Sequence, residues 1–149
     1  MIGEIIDAVR DSGQLNNTWI IATSDHGDMK YEHAQFYKMV FYDSSSRVPS
    51  IIYAGDKFDI KRNVINTTQI NSLLDYFPTI LDIASVNKSN ITGLPELNGY
   101  SLMNSVLTKP DKQYSNNKPN YVMSQFHGDE IHLSWFLLRY NEYNKDSYV

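Results

Sequence analysis

The stretch T-W-I-I-A-T-S-D-H-G-D, residues 18–28, joins a continuous apolar run to an abrupt cluster of polar residues. The apolar run contains β-branched side chains and is typical of a strand covered on both faces in a parallel sheet. In open α/β sheets, ligands bind beyond the carboxyl ends of the strands, which is where this polar cluster begins. The stretch therefore predicts an α/β fold with a candidate site directly after the strand.

One helix is predicted before this strand in the sequence and another after it. Residues 2–12 carry apolar side chains at helical spacing, and Gly13 is a typical helix end. Residues 69–86 show the same spacing, but Pro78 is tolerated only in the first turn of a helix. The ordered part of this second helix is therefore predicted to begin near Asp75, as its N-cap.

Three further strands complete the predicted organisation. The segment V-P-S-I-I-Y-A-G, residues 48–55, predicts a second buried strand. Residues 121–128 and 132–140 predict two strands of a small terminal sheet, with G-D-E-I, residues 128–131, as their hairpin turn. The chain is divided into an α/β part, an exposed linker and the start of a small C-terminal β subdomain, at residues 1–108, 109–119 and 120–149.

Composition and charge exclude several classes of partner. The 149 residues are 42% apolar and 20% charged, with a net charge of -4 and no basic run longer than two residues. This profile is that of a soluble globular protein and predicts no nucleic-acid or anionic-membrane partner. No apolar stretch approaches the roughly 18 residues that a membrane span needs, and the N-terminal segment has no signal-peptide pattern.

The polar cluster after the first predicted strand suggests a cation and anion site. Asp25 and His26 could turn toward one point and form half of a divalent-cation site. Alternatively, Asp25 and Asp28 satisfy backbone N–H groups of a turn. Lys38 is a point charge suited to a tetrahedral oxyanion, although a solvated surface lysine is the simpler interpretation. His33 is equally open to a purely structural role.

The order of the motifs narrows these alternatives. S-D-H-G-D is followed by E-H-x-x-x-x-K, a V-P strand, D-Y-F-P-T-I-L-D-I-A and L-N-G-Y-S-L. This series, across about residues 19–140, resembles the C-terminal part of the sulfatase family, within the alkaline-phosphatase-like superfamily. The resemblance implies a partial α/β/α sandwich, the C-terminal part of its sheet, with a small antiparallel C-terminal β subdomain.

The resemblance also implies roles for individual residues. Asp25 and His26 match metal ligands, for a divalent metal that is calcium in this family, although calcium ordinarily prefers oxygen ligands. Lys38 matches the lysine that holds the sulfate group. His33 and His127 fall at motif positions near the substrate side and are expected to be substrate contacts. The implied activity is sulfuric ester hydrolysis, with a sulfated sugar or uronate as the substrate class.

One expected part of the family pattern is missing. The family nucleophile is a formylglycine made within a C/S-x-P-S-R motif, but the sequence has no cysteine, and its Ser44–Arg47 segment lacks the proline. We therefore expect a fragment that is inactive alone, with the formylglycine in a missing N-terminal half. Two alternatives are a phosphonate monoester hydrolase or phosphodiesterase of the same superfamily, and a non-catalytic remnant.

The compartment of the parent protein is a further expectation. The resemblance implies a lysosomal or secreted enzyme. Four N-x-S/T sequons give this expectation modest support, at Asn16, Asn66, Asn87 and Asn90.

Overall fold

The computed structural model groups the chain into two sets of mutually packed segments. Unit 1 comprises Met1–Lys38 and Tyr42–Arg62, and unit 2 comprises Met39–Phe41 and Asn63–Val149. The described residues are 1–67, 69–87, 91, 93, 96–114, 117–127 and 134–140. The predicted domain bounds remain a prediction. Across these described ranges, no helix has the length and apolar content needed to cross a bilayer.

Unit 1 begins with helix α1, Ile2–Asp11, as the apolar spacing predicts. Gly13 ends it with a left-handed φ of 73°, and the Gly13 N–H donates to the carbonyl of Arg10 at 2.9 Å. A residue without a Cβ adopts this conformation readily, so the predicted stop is confirmed.

The two strands of unit 1 are β1, Trp19–Thr23, and β2, Ser50–Ala54. Their positions are confirmed, but the prediction of a parallel sheet is wrong for this pair, because β1 and β2 pair antiparallel, from Trp19 opposite Ala54 to Thr23 opposite Ser50. The connection between them contains no helix long enough for a parallel crossover, so the chain returns in the opposite direction. Full coverage on both faces is also wrong, because most strand residues are half-buried or exposed.

Short helical turns complete the described elements. Helix α2 is Asp43–Ser46 in unit 1, and helix α4 is Met103–Val106 in unit 2. Single-turn 3₁₀ helices lie at Leu15–Asn17, Glu32–Ala34, Leu73–Asp75 and Lys112–Tyr114.

Unit 2 is organised around helix α3, Tyr76–Ile83, with Asp75 as its N-cap residue, as predicted. Pro78 is the third residue of the helix, where its missing N–H leaves no intrahelical bond unmade. Thr79 is fully buried, and its Oγ1 donates to the carbonyl of Asp75 at 2.6 Å and accepts the N–H of Leu102 at 2.9 Å. The hydroxyl thus connects α3 to the segment before α4.

A buried ion pair lies at the start of α3. Asp75 is 1% exposed, and its carboxylate accepts the N–H groups of Ser72 at 2.9 Å and Tyr100 at 2.8 Å. Lys118 Nζ lies 2.5 Å from Asp75 Oδ2 and donates to Asn71 Oδ1 at 2.8 Å. Only 10% of the Lys118 side chain is exposed, so the prediction of an exposed linker is wrong at this residue.

The last two strands are β3, Tyr121–His127, and β4, Ser134–Tyr140. They pair antiparallel, from Tyr121 opposite Tyr140 to His127 opposite Ser134, which confirms the predicted small terminal sheet. The predicted turn at residues 128–131 lies outside the described residues.

Candidate functional site

One connection carries four of the five candidate residues. It joins β1 to β2 and contains Asp25, His26, His33 and Lys38. Its two ends meet where the Thr23 hydroxyl donates to the carbonyl of Pro49 at 2.8 Å. The antiparallel pairing of the strands therefore closes this connection into a loop whose base is the sheet edge.

His26 is fixed in one tautomer by its two hydrogen-bond partners. Its Nδ1 lies 2.7 Å from the carbonyl oxygen of Gly27, which can only accept, so Nδ1 carries the proton. Its Nε2 lies 2.5 Å from the Nζ of Lys38, whose ammonium can only donate, so Nε2 presents its lone pair. Imidazoles that bind metals commonly donate their other ring N–H to a carbonyl in this manner.

Asp25 lies beside the lone pair of His26. Its Oδ2 is 3.3 Å from His26 Nε2, and its side chain is 82% exposed. Partial desolvation raises the pKa of Asp25, but the hydrogen bonds that its carboxylate accepts from the His26 N–H and the Ser24 hydroxyl lower it further, so the pKa lies below its ordinary value. The carboxylate therefore stays ionised to a lower pH than an ordinary aspartate.

The carboxylate of Asp25, the imidazole of His26 and the ammonium of Lys38 thus lie next to one another. Two acceptors, Asp25 Oδ2 and His26 Nε2, face each other, and the cation of Lys38 contacts the second of them. Two acceptors without a proton between them repel each other unless a positive charge lies nearby. The structure brings together the three residues, and their roles as ligands and sulfate contact remain a prediction.

The other two candidate histidines have different neighbours. The ring of His33 stacks on Tyr42, with centroids 4.1 Å apart and an interplanar angle of 14°. His127 lies on β3 in unit 2, where its Nδ1 is 2.7 Å from the Ser134 hydroxyl and its ring lies nearly perpendicular to that of Phe136. These contacts suit structural histidines, and the substrate roles of both remain a prediction.

The loop holds an unusual concentration of left-handed backbone. Between residues 30 and 37, the non-glycine residues with positive φ are Lys30, Tyr31, His33, Ala34 and Tyr37. Such conformations cost on the order of 1 kcal/mol or more each and are concentrated at functional sites. The turn is closed by the Met29 N–H, which donates to the carbonyl of Tyr37 at 2.8 Å, while the Met29 side chain is fully buried. Sequence reasoning missed this turn because it contains no Gly or Asn at those positions.

The donor set fits part of a divalent-cation site. Within the part of the chain that the structure describes, no three His, Asp or Glu side chains gather as a metal site. Asp25 and His26 nevertheless direct one carboxylate and one imidazole acceptor to the same point. An imidazole suits several first-row divalent ions, whereas calcium favours oxygen. The pair can therefore contribute two ligands, and further ligands must come from elsewhere.

Comparison with known proteins places the chain in a family. The sequence matches the family model described as Sulfatase over residues 1–86, which is more than half of the chain. The chain belongs to the sulfatase family. Arylsulfatase K of Bos taurus is 40% identical to this sulfatase chain over 151 residues, which include 99% of the chain and 26% of the relative. The chain thus spans about a quarter of the length of the curated relatives that it matches.

Solved structures agree with the family assignment. A 2-O GAG sulfatase shares 25% identity and a TM-score of 0.74 with the sulfatase chain, covering 94% of the chain and 29% of that structure. A phosphonate monoester hydrolase from Silicibacter pomeroyi shares 26% identity and a TM-score of 0.68, covering 83% and 22%. These likenesses confirm the predicted alkaline-phosphatase-like fold class.

Gly27 of the sulfatase chain allows a close approach that no other residue permits. Its N–H donates to the carbonyl of Ser45 at 2.8 Å, and a Cβ on Gly27 would lie 1.9 Å from the carbonyl oxygen of Ser44. A methyl group there must push α2 away from the residue that follows His26. The requirement for glycine is therefore steric, at a position next to the candidate site.

We expect Gly27→Ala to destabilise unit 1 by about 1–3 kcal/mol, the usual range for an overpacked site. The measurement is urea unfolding followed by the fluorescence of Trp19, with Trp135 replaced by Phe. Gly3→Ala is the matched control, because a Cβ on Gly3 meets no atom within 4 Å. It should leave the midpoint unchanged or raise it slightly. Equal midpoints for the two variants would show that the crowding at Gly27 is unimportant.

Proposed function

We propose that this chain supplies the metal-binding and sulfate-binding part of a sulfuric ester hydrolase site. One observation carries the proposal: Lys38 Nζ lies 2.5 Å from His26 Nε2, which lies 3.3 Å from Asp25 Oδ2. A cation ligand pair next to an ammonium is suited to a sulfate ester, because two positive charges can neutralise its oxygens. Because the chain belongs to the sulfatase family, the proposed anion is a sulfate ester.

Each residue of the cluster has a distinct task in this proposal. Asp25 and His26 supply part of the ligand set of a divalent cation, calcium by family resemblance. When bound, this cation supplies Lewis-acid stabilisation of developing charge. The bond from Nδ1 to the Gly27 carbonyl leaves Nε2 as the ligand atom, and a cation bound there would replace the hydrogen bond from Lys38 and release its ammonium for sulfate. Lys38 holds a sulfate oxygen and stabilises the negative charge that builds on it during hydrolysis.

The proposed nucleophile, a formylglycine, lies outside these 149 residues, which include no cysteine. The chain alone is therefore proposed to bind sulfate without hydrolysing its esters. Hydrolysis of a chromogenic aryl sulfate by the purified chain would contradict this part of the proposal.

A sulfated sugar or uronate is the proposed substrate class. The similarity to a 2-O GAG sulfatase supports a sugar sulfate, and the similarity to arylsulfatase K supports an ester of the sulfatase type. In this proposal His33 and His127 are the substrate contacts, and the parent enzyme is lysosomal or secreted.

The metal role is tested by replacing Asp25 with asparagine in the chain 1–149. We expect calcium affinity, measured by isothermal titration calorimetry, to fall at least tenfold, the lower range for losing a supporting group of a metal site. Asp56→Asn is the matched control, because Asp56 is 80% exposed and lies 3.3 Å from Arg62, much as Asp25 lies 3.3 Å from His26. Equal calcium affinities in wild type and Asp25→Asn would remove the metal role.

Two other functions remain as alternatives with distinct outcomes. The likeness to the Silicibacter pomeroyi enzyme favours a phosphonate monoester hydrolase or phosphodiesterase as the second candidate. A phosphonate monoester that shifts the NMR signals of His26 and Lys38 at lower concentration than sulfate would favour it. A chain that binds neither anion nor cation would be a non-catalytic remnant.

A further inference from the structure

Ser45 is a buried polar residue that contacts both ends of the segment from Gly27 to Lys38. It lies on α2 and is 3% exposed. Its hydroxyl donates to the backbone carbonyl of Lys38 at 2.7 Å, and its own carbonyl accepts the N–H of Gly27 at 2.8 Å. One residue thus binds the segment after His26 and the backbone of Lys38.

These two bonds set the separation between the cation ligands and the ammonium. The intervening turn contains five left-handed non-glycine residues, at positions 30, 31, 33, 34 and 37, so its backbone conformation is costly to keep. The turn needs fixed ends to hold Lys38 beside His26, since the exposed Lys38 side chain has little packing of its own. Helix α2 provides them, because the N–H groups of Ser45 and Ser46 both donate to the carbonyl of Tyr42 at 2.9 Å.

We propose that Ser45 is a positioning residue for sulfate, acting through the backbone of Lys38; this inference rests on the proposed function. The two bonds of Ser45 differ in what a substitution removes. Alanine deletes the hydroxyl and its bond to the Lys38 carbonyl, but it keeps the backbone carbonyl that accepts the Gly27 N–H. The ammonium should therefore lose its position while the cation ligands keep theirs.

The expected result is that Ser45→Ala weakens the binding of sulfate and leaves the binding of calcium nearly unchanged. In the chain 1–149, Ser45→Ala should raise the dissociation constant for inorganic sulfate about fivefold, the effect of one hydrogen bond. The dissociation constant for calcium should change less than about twofold, because the bond from the Gly27 N–H remains. If Ser45 had a merely structural role, its replacement would weaken the binding of sulfate and of calcium together.

Three variants make the test specific. Ser46→Ala removes a hydroxyl from the same helix, one that donates to the carbonyl of Tyr42 at 3.1 Å, and it should bind sulfate as wild type does. Ser45→Thr keeps a hydroxyl and should restore most of the sulfate affinity. Ser45→Cys fills the site with a weak donor, and it provides the test if the alanine variant does not fold.

The outcomes separate this inference from the proposed function. Sulfate binding is measured by NMR titration. A wild-type chain that does not bind sulfate contradicts the proposed function before any Ser45 variant is made. Sulfate binding that survives in Ser45→Ala, is equally weakened in Ser46→Ala, or falls together with calcium binding overturns the positioning role alone. A loss confined to Ser45→Ala and Ser45→Cys supports it.

Discussion

Replacing Lys38 with alanine is expected to lower kcat for a sulfate ester by at least about 10²-fold, the usual effect of removing one electrostatic stabiliser. The enzyme for this measurement is a chimera in which residues 1–149 replace the matching quarter of bovine arylsulfatase K. The ammonium beside His26 Nε2 is the only cation that the described structure places in contact with the candidate ligand pair. Its loss should act mainly on kcat, because charge on the sulfate grows in the transition state.

The control for this prediction is Lys57→Ala. Lys57 also lies in unit 1, but its Nζ lies 4.9 Å from the centre of the Phe58 ring, away from the acceptor pair. Its removal should change kcat less than about twofold, as for a surface charge. A Lys38→Ala chimera with normal turnover would end the assignment of Lys38 to sulfate, whereas an inactive wild-type chimera would count against the whole function.

Sequence alone predicted which candidate residues lie together better than it predicted how the fold holds them together. The resemblance to the sulfatase family, with S-D-H-G-D and a lysine thirteen positions after the aspartate, singled out Asp25, His26 and Lys38, and the structure places them in contact. Nothing in the pattern could show that Ser45 holds the loop, since a serine in S-S-S-R has no distinguishing neighbour. The hydroxyl that matters is chosen by the tertiary fold and not by local sequence.

The helices and strands were predictable where local signals are strong. Helix α1 ends at a left-handed glycine, and α3 follows its N-cap residue Asp75, because Gly adopts a left-handed backbone readily and Pro is tolerated only in the first turn of a helix. The direction of β2 relative to β1 was not predictable, because an apolar run shows that a strand is covered but not which neighbour covers it. The same limit applies to Lys118, whose burial depends on a carboxylate 43 positions away.

That distant carboxylate underlies the second large prediction. We expect Asp75→Ala to destabilise unit 2 by about 3–5 kcal/mol, as for breaking a buried ion pair from one side. The variant leaves the Lys118 ammonium without its carboxylate partner, although the Lys118 side chain is only 10% exposed. It also leaves the N–H groups of Ser72 and Tyr100 without their acceptor. Hydrogen exchange at these two amides reports the loss directly, because both donate to Asp75 in the folded state.

A loss of 3–5 kcal/mol corresponds to exchange that is roughly 10² to 10³ times faster or more, if the amides exchange through opening of unit 2. Asp111→Ala is the control within the same unit, since its carboxylate is exposed and accepts the N–H of Gln113 at 3.0 Å. That variant should leave the Ser72 and Tyr100 amides protected. If Asp75→Ala leaves them equally protected, then the contacts of Lys118 and the capping bonds do not stabilise α3. The buried pair would then have to act in the specificity of packing, since a paired charge inside a protein can fix an arrangement without adding to its stability.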